Sequence, residues 1–172
     1  MYRKVRKWLP VAVKEPFDVR ARKEMSWAVH NSLCNGGALN GHAFSHAIGS
    51  RYHIVHGLAC MLVLPVVIRY FAETSQDAVA KLARIFDVPV TGDALADADA
   101  AAEAIKRFYK SFGYTDTQDV LKKAGYDVSS DEFAESIVDF TLDDYKSRLW
   151  DPPIHDDPEI VRKIGRQIYN EK

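Results

Sequence analysis

Gly41-His42-Ala43-Phe44-Ser45-His46-Ala47-Ile48-Gly49, followed by Tyr52-His53-Ile54-Val55-His56-Gly57, gathers four of the chain's six histidines into one short stretch. His42 and His46 stand four apart, so a helix places them on one face, one above the other. His56 comes after a break and leads into an apolar run from Gly57 to Ile68. Imidazoles brought together in this way ligate a transition metal or shuttle protons near neutral pH.

Outward from this stretch the pattern is helical almost throughout. Residues 2–13 read as a first helix, with Pro10 as a kink or stop. Glu15-Pro16-Phe17-Asp18 reads as a turn with Asp18 as N-cap. A long helix over 19–34 presents Met25, Ala28, Val29 and Leu33, and Asn35-Gly36-Gly37 ends it. Residues 40–49 form a short helix stopped by Gly49, 50–56 a connection, and 57–71 a buried helix with Pro65 inside it. Helices follow over 76–86, where Ser75 is in place to cap, 94–112 and 117–124, ended in the last two cases by Gly113 and Gly125. Ser130 is expected to cap a helix over 131–147. Asp151-Pro152-Pro153-Ile154 breaks the chain, and Asp157-Pro158 opens a last helix to about residue 170, N-cap before proline. No segment alternates with period two for long enough to make a strand. The expected fold class is all-α, a helical bundle forming a single domain over 1–172.

Composition agrees with a globular protein. Of 172 residues, 47% are apolar and 27% charged, which supplies material for a sizeable core. The 23 basic and 24 acidic residues nearly cancel, giving a net charge of −1. That balance argues against nucleic acid as a partner. The run from Gly57 to Ile68 is too short for a membrane span, which needs about 20 residues. The basic start, Met1 to Trp8, reads as a solvated helix face rather than a targeting segment. Cys34 and Cys60 lack the spacing of a metal knuckle or a redox pair and read as small buried hydrophobes in a reducing, cytoplasmic setting.

The histidine stretch and its continuation, Leu62-Val63-Leu64-Pro65-Val66-Val67-Ile68-Arg69, resemble the iron-containing alcohol dehydrogenase family. In that family a His-x3-His-x2-Gly stretch precedes a His-Gly pair, and an apolar helix ending in Leu-Pro follows. Trp8-Leu9-Pro10-Val11-Ala12-Val13 is similar to an earlier helix end of the family, and the Pro152-Pro153 loop with the final helix is similar to its C-terminal end. The resemblance is strong over 41–69 and loose after residue 74. It implies that His42 and His56 are two of four ligands to a divalent iron or zinc ion, and that His46 lies beside the metal, facing nicotinamide and substrate as a catalytic residue. It implies an oxidoreductase passing a hydride between primary or secondary alcohols or aldehydes and NAD(P), and, because the family packs the helix after Gly57 at its centre, it implies that Cys60, Leu62 and Leu64 are core residues.

Family members also carry an N-terminal α/β domain for the dinucleotide and a helical Asp-x3-His that supplies the other two ligands. Neither pattern is found in this sequence. Asp151-x3-His155 has the spacing, but Pro152 and Pro153 keep it off one helix face. The chain is therefore expected to be the metal-binding helical half of such an enzyme, not to bind NAD(P) alone, and to be inactive or nearly so by itself. Two other readings stand beside this one: a non-catalytic helical module that assembles as a homo-oligomer, its histidines relics, or one half of a split enzyme whose dinucleotide domain is a separate chain. His53 is a candidate third nitrogen three residues before His56, though an exposed loop histidine is the simpler reading. His30 and His155 have no partner pattern. Tyr52 reads as core, and Lys106-Arg107 and Asp143-Asp144 as solvated helix faces. The sequence holds no His-Glu-x-x-His run, nucleophile elbow or phosphate-binding loop.

Overall fold

The computed structural model describes residues 2–35, 41–147 and 157–172, without the side chains of residues 32–35, 145 and 147. Every regular element among them is an α-helix, and no strand occurs among the described residues. The helices fall into two compact units. One comprises Met1–Gly37 with Ala72–Gly113, the other Ala38–Phe71 with Tyr114–Lys172.

The first unit holds α1 (Tyr2–Lys14), α2 (Val19–Asn35), α5 (Gln76–Ile85) and α6 (Ala94–Lys110). Helix α1 packs on α2 and α5, and α5 on α6. Pro10 does not stop α1, which continues to Lys14. Asp18 caps α2 as expected, its carboxylate accepting from the Ala21 amide at 2.7 Å. The buried stripe of α2 is Ala21 and Ala28, seven residues or two turns apart, while Val29 stays exposed. The side chains of Leu33 and Cys34, and the Gly36-Gly37 stop, lie outside what is described. Ser75 stands at the N-cap of α5 but its side chain makes no capping bond. At the start of α6, Asp93 caps through Ala96. Buried Asp97 ties the preceding loop to the same helix, accepting from the Thr91 amide at 2.7 Å, the Thr91 hydroxyl at 2.8 Å and the Gly92 amide at 3.1 Å. Lys106 is less solvated than its neighbour suggests, folding onto Glu103 at 2.8 Å.

The second unit holds α3 (Gly41–Tyr52), α4 (His56–Tyr70), α7 (Thr117–Lys123), α8 (Ser130–Ser136), α9 (Val138–Ser147) and α10 (Pro158–Asn170). Helix α3 packs on α4 and α9, and α10 packs on α4, α7, α8 and α9. The core between them is Phe44, Ile48, Tyr52, Leu62, Val63, Phe133, Ile137, Val161, Ile164 and Ile168 with their neighbours. Leu62 is buried as expected; Leu64 is only half-buried. Tyr52 is core, as read, stacked on Phe133 and bonded through its hydroxyl to Ser136 Oγ at 2.7 Å.

Two boundaries differ from the sequence reading. Gly49 does not end α3, which runs on to Tyr52. A Cβ at Gly49 would lie 3.1 Å from the Ile54 carbonyl oxygen, so the glycine admits the returning chain rather than breaking the helix. The connection then shrinks to residues 53–55, turned by His53 at φ 52°, and His56 becomes the first residue of α4. The helix expected over 131–147 is two, interrupted at Ile137. Its cap is Ser129, one residue earlier than expected, in a reciprocal box with Glu132. Asp157 and Pro158 open α10 as the sequence indicates.

Candidate metal centre

The site is built on one side of the second unit by α3, α4 and α9. Residues 43, 44, 47 and 48 of α3 are buried. That commits the opposite stripe, His42 and His46, to the half-buried edge where α3 meets α4 and α9. The short 53–55 turn brings His56, at the first turn of α4, back beside them. The ring centroids of His42 and His56 are 5.4 Å apart, those of His46 and His56 5.0 Å, and those of His42 and His46 5.7 Å. The three histidines expected at the site are thus gathered into one cluster.

Two residues join them that the sequence reading placed elsewhere. Cys60 is not a core residue. It is one turn after His56 on the same face of α4, half-buried, with Sγ 3.4 Å from His56 Nε2 and 3.9 Å from Nδ1. Burial pushes its thiol above the ordinary cysteine range, and the Ser45 hydroxyl draws it partly back. Asp144 of α9 is not a solvated surface acid. Its Oδ2 lies 3.0 Å from His46 Nδ1, with the Asp144 side chain 16% and the His46 side chain 31% exposed. An ionised carboxylate only accepts, so Nδ1 is the donor in this contact. The i, i+4 spacing of His56 and Cys60 is the signal that would have revealed the thiol. Nothing local could have revealed Asp144, 98 residues from its partner.

His53 is exposed on the 53–55 turn, and His30 is exposed on α2. Asp151 and His155 lie outside the described residues.

The donor set suits a divalent transition metal. One nitrogen from each of His42 and His56 and the Cys60 sulfur all lie within 4.8 Å of one another. Imidazole and thiolate are ligands for zinc, iron and cobalt rather than for magnesium or calcium. No helix among the described residues is long and apolar enough to cross a membrane.

A profile described as "Fe-containing alcohol dehydrogenase family, C-terminal" matches residues 2–156. The chain is 29% identical over 113 residues to the NAD-dependent methanol dehydrogenase of Bacillus methanolicus, covering 63% of this chain and 30% of that protein. It is 34% identical over 73 residues to the lactaldehyde reductase of Escherichia coli strain K12, covering 42% and 19%. It is 34% identical over 94 residues to the 1,3-propanediol dehydrogenase of Klebsiella pneumoniae, covering 51% and 23%. The matched portion thus amounts to less than a third of each relative. The crystal structure of a 1,3-propanediol oxidoreductase superposes on 98% of this chain and 43% of its own with a TM-score of 0.78, at 24% identity, which shows a shared fold. With the family profile covering nine-tenths of its length, the chain belongs to the Fe-containing alcohol dehydrogenase family and represents that family's C-terminal, all-helical region.

Proposed function

We propose that these residues are the metal-binding half of an NAD(P)-dependent dehydrogenase acting on short primary or secondary alcohols and the corresponding aldehydes. The observation that carries this reading is the pairing of His42 on α3 with His56 on α4, their rings 5.4 Å apart across the helix junction. The substrate class follows the relatives, whose names specify methanol, lactaldehyde and 1,3-propanediol. His42 and His56 would hold an iron or zinc ion, which would supply Lewis acidity toward an alcohol oxygen during hydride transfer.

The chain's own contribution is positional. Helices α3 and α4 hold the two imidazoles on a surface open to solvent, His56 being exposed. His46 stands beside them with its ring oriented by Asp144. With Nδ1 donating to the carboxylate, Nε2 of the neutral ring would be the acceptor for a substrate hydroxyl. Asp144 is a positioning residue in this scheme and His46 the catalytic one. Binding of the dinucleotide belongs to an α/β domain supplied by another segment or by a partner chain.

Metal analysis of the purified 172-residue chain, alongside His42→Ala and His56→Ala, tests this directly. After dialysis against zinc the parent should retain one equivalent and each variant less than half of it, and the metal-loaded chain alone should produce no NAD(P)H from short alcohols. Equal retention by all three proteins would contradict the metal centre. Alcohol oxidation by the isolated chain at an ordinary enzymatic rate, about 10 per second, would contradict the assignment of cofactor binding to another domain.

A further inference from the structure

The sequence places Cys60 inside an apolar helix, where a cysteine is ordinarily an inert small hydrophobe. The structure puts its sulfur on the histidine side of α4 instead. Its separation of 3.4 Å from His56 Nε2 is close to the ~3.6 Å that tetrahedral geometry sets between a sulfur and a nitrogen bound to one zinc ion. One nitrogen of His42 lies within 4.8 Å of the sulfur and of a His56 nitrogen. A sulfur and two imidazoles are a donor set found in catalytic zinc sites, where three protein ligands leave a fourth position for water or substrate.

We propose that Cys60 is a ligand to the same cation as His42 and His56, making a His-His-Cys site whose three donors all lie within this chain and which selects zinc or cobalt(II) over harder ions. This rests on the metal reading of the histidine pair above and extends it. The site spans two helices packed directly on each other, α3 and α4. His56 and Cys60 come from successive turns of one helix, so α4 presents both donors at a fixed spacing. On binding, the S–H bond of Cys60 breaks, the sulfur keeps the electron pair for the metal, and the proton leaves to solvent. The thiolate is the soft member of the set and biases the site toward zinc and cobalt(II).

Cobalt(II) is the probe. The reduced 172-residue chain, titrated anaerobically, should take up one equivalent with a near-ultraviolet sulfur-to-cobalt charge-transfer band, and zinc should displace it. Cys60→Ser should lose the band and bind cobalt at least about 10-fold more weakly while keeping some uptake through the histidines. Cys60→Ala should do the same, and Cys34→Ser should leave band and affinity unchanged. His42→Ala and His56→Ala should each weaken binding as well. Far-ultraviolet circular dichroism shows that each variant is folded. Stoichiometric cobalt uptake without the charge-transfer band, or a Cys60→Ser chain that matches the parent in affinity and spectrum, would overturn the ligand role of Cys60 and leave the His42–His56 centre standing. Failure of the parent to bind either metal would overturn both.

Discussion

At the scale of single residues, the site was half legible. His42, His46 and His56 announce themselves because their spacing is local and their chemistry unusual. Cys60 was hidden by its neighbours: within Leu58 to Ile68 a thiol looks like one more small apolar group. Asp144 was hidden by distance, because its meaning arises only when α9 folds against α3. Thr117 is a third residue whose role appears only in the fold. Buried at the start of α7, it donates to the Ile168 carbonyl at 2.7 Å. Ile168 is in the last turn of α10, where carbonyls have no partner within the helix. Thr117→Val should therefore cost about 1–3 kcal/mol, the penalty of stranding a buried acceptor. Urea unfolding measures it, and an unchanged midpoint would show that the carbonyl has another partner.

At the scale of elements, helix existence and most caps were readable, and the errors have a common cause. Glycine and proline were read as breakers, yet α1 passes through Pro10 and α3 through Gly49 because tertiary packing decides there. Gly165 shows the same principle inside α10. A Cβ there would sit 3.1 Å from Ala134 Cα, 3.2 Å from its Cβ and 3.3 Å from Ile137 Cδ1. An alanine would gain helix propensity but push α10 off α8, for a net loss of about 1–2 kcal/mol. A stability gain in Gly165→Ala would show that α8 yields without cost.

The loop before α6 makes a pH prediction. Three hydrogen bonds from Thr91 and Gly92 hold the Asp97 carboxyl below its ordinary range. A group depressed in the folded state contributes stability above its unfolded pKa, about 3.9. That contribution disappears as pH falls toward the folded value. Asp97→Asn should accordingly lower the melting temperature most near neutral pH, and the gap to the parent should close as the solution is acidified below about pH 4. A gap that widens in acid would reverse the assigned sign.

At the scale of the whole molecule, the all-helical class was plain from the absence of period-two alternation, and the family from the histidine stretch. The division into two compact units was not, because α1 and α2 join α5 and α6 across the intervening sequence. All the site residues, on α3, α4 and α9, lie in one of these units. Metal binding should stabilise the folded chain by mass action, by about 2.7 kcal/mol at a free concentration 100 times the dissociation constant. For a protein of this size that is a rise in melting temperature of about 5–10 °C. The rise should be absent in His42→Ala.

The central claim is that the His42 and His56 imidazoles hold one cation between α3 and α4. Anomalous diffraction at the zinc edge from crystals of the zinc-loaded chain would test it most directly. The account predicts one strong peak within bonding distance, about 2.0–2.1 Å, of a nitrogen of each ring. Rings turned away from each other, or a peak bound elsewhere with none between them, would contradict it.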